Sequence, residues 1–228
     1  MGVIKYLGHS FFEATLTGLD GSPKTIVIDP WIENPLSPVK LRDYENRKLD
    51  YILVTHDHGD HIGEAMKLAK MTGAAIVGVY EIALYAEEEG VKGIGGNIGG
   101  ALKIPDLEIV LTPATHSSSR GVPVGFIVRG LDLSFYHAGD TGLFSEMTFI
   151  GELYKPDVAM LPIGGHFTMG IREAVKAVEL IKPKIVIPMH YNTFPVIQAD
   201  PLIFKKIVEE TTTAKVIVLK PGETYVYP

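Results

Sequence analysis

VTHDHGDHIG (54–63) places three histidines and two aspartates within six positions. The stretch joins two different patterns. YILVT (51–55) overlaps its start and is a continuous apolar run, as expected for a strand buried on both faces. IGEAMKLAKMTG (62–73) follows with helical spacing and a closing glycine. AAIVGVY (74–80) then reads as a second buried strand and EIALYAEEEG (81–90) as a second helix ending in glycine. A strand–loop–helix–strand–helix order is the mark of a layered α/β arrangement.

Outward from this centre the same alternation continues. VIKYL (3–7), FFEATL (11–16) and TIVIDP (25–30) are short, β-branched and aromatic, and bounded by turn residues, so they read as strands. TGLDGSPK (17–24) supplies the loop of a hairpin between the second and third, and 31–43 reads as irregular. The five glycines of VKGIGGNIGG (91–100) do not fit G-x-G-x-x-G, and they lead from a helix into a strand, the reverse of a dinucleotide site, so a turn is expected. Strands are expected at 107–114, 124–130, 133–139, 158–164 and 184–189, with helices at 144–154, 171–181 and 201–212. The end of the chain reads as a hairpin across Pro221-Gly222. With no linker or repeat, 1–228 is expected to form one domain, an αββα sandwich of two mixed sheets with helices on both outer faces.

Composition narrows the function. A formal net charge of -6 leaves no broad basic surface for nucleic acid or an anionic membrane. No run of 18 apolar residues is present, so stable membrane insertion is not expected, and the start lacks the pattern of a secretory leader, which predicts a cytoplasmic location. The count of cysteines is 0, so a transition metal would be held by His and carboxylates. Few Asn and Gln beside 15 Pro hint at a thermophilic source.

The histidines fall at telling places. YILVT-His56, LTPAT-His116 and IVIPM-His190 share one form, an apolar run and then His, and Asp140 follows LSFYHAG in the same way. Ligand sites of α/β sheets gather at the carboxyl ends of strands, and His is the commonest transition-metal ligand. His56 and His58 are two apart and point to one side of extended chain. Beyond a turn at Gly59, Asp60 and His61 point elsewhere, so one loop would serve two neighbouring ions.

In these residues the sequence resembles the metallo-β-lactamase superfamily, whose signature is HxHxDH followed by His, Asp and His. Here these are His56, His58, Asp60 and His61, then His116, Asp140 and His190. The resemblance implies that His56, His58 and His116 bind one divalent ion, that Asp60, His61 and His190 bind a second, and that Asp140 bridges them. LGHSFFEATL, IVIDPWIENP and PIGGHFTMG look like the UlaG-like branch, which includes UPF0173 metal-dependent hydrolases and ascorbate-phosphate lactonases; N-acyl-phosphatidylethanolamine phospholipase D shares the Gly-His and Asp-Pro features.

The implied chemistry is hydrolysis of a small ester, lactone or phosphoester by a hydroxide shared between two ions about 3.5–4 Å apart. Zinc is the expected metal, with manganese or iron as alternatives. Phosphodiesterase, phospholipase D-like or nuclease activity is the competing reading. Flavodiiron redox chemistry is not expected, because a carboxylate would replace His58 and a flavodoxin domain is lacking. Asp60, His9 and His166 are the candidate catalytic groups, His9 from beside the pocket and His166 as a proton donor to the leaving group. His137 reads as structural, Ser117–Ser119 as a polar turn, and Asp29 and Trp31 as a buttress or rim. A small-molecule substrate is the expected partner, and the same resemblance implies a homo-oligomer.

Overall fold

A computed structural model describes residues 1–228. The N-terminal half forms one sheet from β1 (Val3–Tyr6), β2 (Phe12–Thr17), β3 (Pro23–Ile28), β4 (Tyr51–Leu53), β5 (Ala75–Val79) and β6 (Gly93–Gly96). The second sheet contains β7 (Glu108–Pro113), β8 (Val124–Arg129), β9 (Ser134–His137), β10 (Val158–Pro162) and β11 (Ile185–Met189), with β12 (Lys215–Val216) at its edge. The last strand, β13 (Thr224–Val226), returns to the first sheet beside β1. Both sheets are mixed. One contiguous core of 61 buried residues joins the two sheets and the helices on their outer faces.

Helices α2 (Ala65–Thr72) and α3 (Tyr80–Glu88) pack on the first sheet. On the second, α5 (Ile171–Ile181) lies beside α6 (Pro201–Thr211), which covers β12. This is the αββα sandwich expected from the sequence. No helix is long and apolar enough to cross a membrane.

Strand direction explains why the candidate residues meet. In the first sheet β1 and β3 are each antiparallel to β2, and β4 is parallel to β3, so β1, β3 and β4 run one way. In the second, two antiparallel steps restore the direction from β7 to β9, and β10 and β11 follow in parallel. His9, Asp29, His56, His116, Asp140 and His190 all lie just beyond the carboxyl ends of these strands. The two rims are stitched together: His190 N–H donates to the His9 carbonyl at 2.9 Å, and Val124 N–H to the Thr55 carbonyl at 3.0 Å.

Four local expectations need correction. The glycine-rich segment 91–100 contains a strand, β6, paired in parallel with β5; glycine is required there because a Cβ on Gly93 would overlap the Ala83 carbonyl of α3. The terminal hairpin does not form. β12 pairs with β11 and β13 with β1, in different sheets, and the turn between them hydrogen-bonds Gly222 N to the Tyr6 carbonyl at 2.7 Å. The helix expected at 62–73 is two helices, α1 (Gly59–Ile62) and α2, broken at Gly63. Gly63 has φ of 38°, and an added Cβ would sit 2.6 Å from both the Pro30 carbonyl and the Trp31 Cα; this close approach seats α1 against the turn after β3. Finally, the helix of 144–154 narrows to α4 (Met147–Phe149) followed by a wider π turn over Ile150–Tyr154.

Candidate metal centre

The side chains at the strand ends fall into two groups that share Asp140. In the first, His56 Nε2 is 3.0 Å from His58 Nδ1, which is 3.3 Å from His116 Nε2. An ion with four tetrahedral bonds of about 2.0–2.1 Å holds neighbouring nitrogens about 3.3 Å apart, so this spacing suits a single ion. In the second, the ligand atoms of His9, Asp60, His61 and His190 lie within 4.8 Å of one another. Asp60 Oδ2 is 4.0 Å from both His61 Nε2 and His190 Nε2. Asp140 joins the groups, with Oδ1 3.1 Å from His61 Nε2 and Oδ2 3.0 Å from His190 Nε2 and 3.5 Å from His116 Nε2.

The contacts of Asp140 with His61 and His190 are not hydrogen bonds. His61 Nε2, His190 Nε2 and Asp140 Oδ1 are buried without a hydrogen-bond partner, because the atoms lie close but do not point at each other. Unpaired buried polar atoms are costly. A cation between them removes that cost, and an all-nitrogen-and-oxygen donor set accepts zinc, manganese or iron. The residues present therefore fit divalent metal.

Asp29, at the end of β3 and fully buried, orients ligands of both groups. Its Oδ2 accepts from His61 Nδ1 at 2.7 Å and from the Thr55 hydroxyl at 2.8 Å; the Thr55 oxygen in turn lies 3.0 Å from His56 Nδ1. Each imidazole is thus fixed with Nδ1 protonated and Nε2 free for an ion, the usual carboxylate–histidine arrangement. Asp29→Asn keeps the volume but weakens both links. It is expected to lower zinc affinity about 10–100-fold, measured by competition with a chelator.

Burial and charge set the protonation of the cluster. Burial pushes His56 down to about 3, with His61 adding to the effect, and pushes His9 down to about 4. Burial also lowers His116. Asp60 resists its own burial because the His9 hydrogen bond and the His61 charge hold its carboxyl below the usual range. A neutral His9 beside an ionised Asp60 fixes the tautomer: Nε2–H donates to Asp60 Oδ2 at 3.1 Å, and Nδ1 accepts from the Thr193 hydroxyl at 2.5 Å. His61 behaves oppositely. Burial opposes its charge, but Asp140 and Asp29 outweigh burial and raise it well above 6.5 in the metal-free chain.

The remaining candidates divide by position. His137 donates Nε2–H to the Ser10 carbonyl at 3.0 Å, a tie between the sheets. Ser118 Oγ and Ser119 N–H both donate to Asp57, locking the His116 loop to the His56–His61 loop. His166 is exposed, and its ring meets Phe167 edge-on at 4.4 Å without lining the cavity over the metal ligands. His9, Asp29, His166 and His190 all occupy left-handed backbone, with φ of 57°, 47°, 58° and 53°. Such strain clusters at functional sites.

The cavity, about 810 Å³, has His58, Asp60, His116, Asp140 and His190 at its floor and Trp31, Phe167, Phe194 and Val196 in its walls. Trp31 was expected at the rim. Phe194 and Thr193 were not singled out, since nothing in TFPV (193–196) marks it as anything but a loop.

Comparison with known proteins agrees with this geometry. The family described as Beta-lactamase superfamily domain matches residues 24–191. A UPF0173 metal-dependent hydrolase of Staphylothermus marinus is 71% identical over 228 residues, covering 100% of both chains. Its counterpart in Thermofilum pendens is 60% identical, again over 100% of both. A solved metallo hydrolase from the hyperthermophilic archaeon Ignicoccus hospitalis superimposes with a TM-score of 0.92 at 50% identity, covering 100% of this chain and 99% of that one. A Beta-lactamase-superfamily sandwich with metal-fitting strand ends, matched end to end by these relatives, belongs to the UPF0173 metal-dependent hydrolases.

Proposed function

We propose that this hydrolase works with two divalent ions, zinc by preference, on a small ester, lactone or phosphoester. The observation that carries the reading is Asp140, a buried carboxylate that faces both groups: Oδ1 lies 3.1 Å from His61 Nε2 of the second, and Oδ2 lies 3.0 Å from His190 Nε2 of the second and 3.5 Å from His116 Nε2 of the first. Two ions bound there would supply Lewis acidity and bring the pKa of water into the neutral range.

The chain's own residues do the rest. His56, His58 and His116 would hold one ion and Asp60, His61 and His190 the other. Asp29 keeps the Nε2 atoms of His56 and His61 turned inward. His9 keeps Asp60 ionised and in one rotamer. The cavity walls exclude water from the substrate on the side away from the ligands. For the leaving group we assign the proton to His166, whose loop also carries the cavity residue Phe167. A donor must come within about 2.6–3.2 Å of the oxygen it protonates, so this role requires the exposed ring to turn in. His166→Gln is then expected to lower kcat about a hundredfold with KM and metal content unchanged; an unaltered kcat removes His166 from the reaction.

Elemental analysis of metal-saturated protein, with a screen of esters, lactones and phosphoesters, tests the whole. Two ions per chain and turnover in one of these classes are expected. A single ion at saturation would require the roles of Asp60, His61 and His190 to be reassigned.

A further inference from the structure

We infer that the group the substrate carries beyond its scissile bond is uncharged and apolar, and that Trp31, Phe194, Phe167 and Val196 select it. The inference deepens the hydrolytic reading of this cavity and rests on it.

Three observations support the assignment. No lysine or arginine lines the cavity, and the only carboxylates are Asp60 and Asp140 among the metal ligands. A charged group at the outer end of a substrate would therefore lose its water and find no counter-charge, a costly transfer; sites built for phosphate or carboxylate carry Arg or Lys. Next, Trp31 and Phe194 form a stacked pair with centroids 5.7 Å apart and planes 25° from parallel. The His9 ring meets both edge-on, at 5.1 and 5.5 Å, so the pair is braced from the side of the metal ligands. Opposite in character to this braced pair, Phe167 and Val196 leave 50% and 54% of their surface in water. Apolar surface facing a cavity is gained back when an apolar group covers it. A ring or short alkyl chain attached to an ester or lactone meets all three conditions.

Trp31 is the single tryptophan of the chain, so its emission reports on this wall directly. The first measurement titrates cyclohexyl methyl ketone, which is uncharged and inert to hydrolysis, into metal-loaded protein. A saturable change in Trp31 emission is expected. Phe167→Ala truncates a half-exposed side chain that folding does not need, and it should weaken the ketone about tenfold, as should Phe194→Ala. Leu131→Ala, an exposed truncation in another cavity, should leave binding unchanged.

The second measurement compares 4-nitrophenyl valerate with mono-4-nitrophenyl glutarate, which differs by a carboxylate at the far end. The valerate should be preferred at least about tenfold in kcat/KM, and Phe167→Ala should raise its KM while keeping kcat. Glutarate turnover equal to or better than valerate overturns the inference, and so does ketone binding that neither phenylalanine variant weakens. Protein that hydrolyses no ester, lactone or phosphoester, yet still binds the ketone through Phe167, upholds the apolar subsite and retires the proposed reaction instead.

Discussion

Asp140→Asn is expected to lower kcat/KM about a thousandfold while the protein still folds. Asn has the same volume, so the 3% exposed position keeps its packing. What changes is the charge and one of two acceptor oxygens. Asp140 Oδ1 faces His61, and Oδ2 faces His190 and His116; an amide presents an NH₂ to one of these groups, which cannot accept a cation. Metal-assisted hydrolysis draws several kcal/mol of charge stabilisation from its ions, and each 1.36 kcal/mol is tenfold in rate. His56→Ala should cost as much by a different route, since it removes one of three nitrogens of a single group and with it about one ion per chain. Steady-state kinetics beside elemental analysis separates the two: Asp140→Asn loses activity with part of its metal retained, His56→Ala with one ion gone. Activity within tenfold of the parent in either variant would end the two-ion reading.

Chelation is expected to lower the unfolding midpoint, and by more as pH rises above 6.5. An ion that binds only the folded chain stabilises it by about 4 kcal/mol at a thousandfold excess over Kd, and its ligands must be deprotonated to bind. In the metal-free chain His61 is held protonated by Asp140 and Asp29, against its burial, and its folded pKa lies well above 6.5. That contribution to stability is complete below the unfolded value of 6.5 and is lost as pH rises through the folded one. His9 and His56, lowered to about 4 and about 3, and His116 and His137, lowered by burial, act on the other side. Unfolding lets them take up protons below pH 6.5, so acid destabilises. The metal-free protein should therefore be most stable near pH 6.5. Bound metal replaces the His61 proton, so the loaded protein should not share the decline on the alkaline side. Thermal unfolding with and without chelator across this range measures the gap; a gap that narrows above pH 6.5 would contradict the His61 assignment.

Much of the centre was legible because its ligands sit where a short-range pattern ends. An apolar run followed by His marks a buried strand and what lies just past it, and the two-residue spacing of His56 and His58 already puts them on one side. Their neighbours were not legible in the same way. Asp29 holds His61 from 32 positions away and Thr193 holds His9 from 184 away; nothing local in DPW or NTF points to those partners. The misread elements have the same origin. β6 is glycine where strands favour branched residues, because α3 presses on it, and Lys215–Val216 and Thr224–Val226 look like a hairpin although each finds its partner in another sheet.

By itself the sequence determined the layered α/β class, the residues able to ligate metal and the division of one loop between two groups, since all three follow from periodicity and side-chain chemistry over a few positions. Only the tertiary structure decided that β1, β3, β4, β7, β9 and β11 end on one rim, that His9 joins the second group, and that Trp31, Phe167, Phe194 and Val196 wall the cavity without a cation among them. Those facts depend on strand order and direction across two sheets. Strand pairing is set by the total burial of the fold, to which each segment's own pattern contributes only a part.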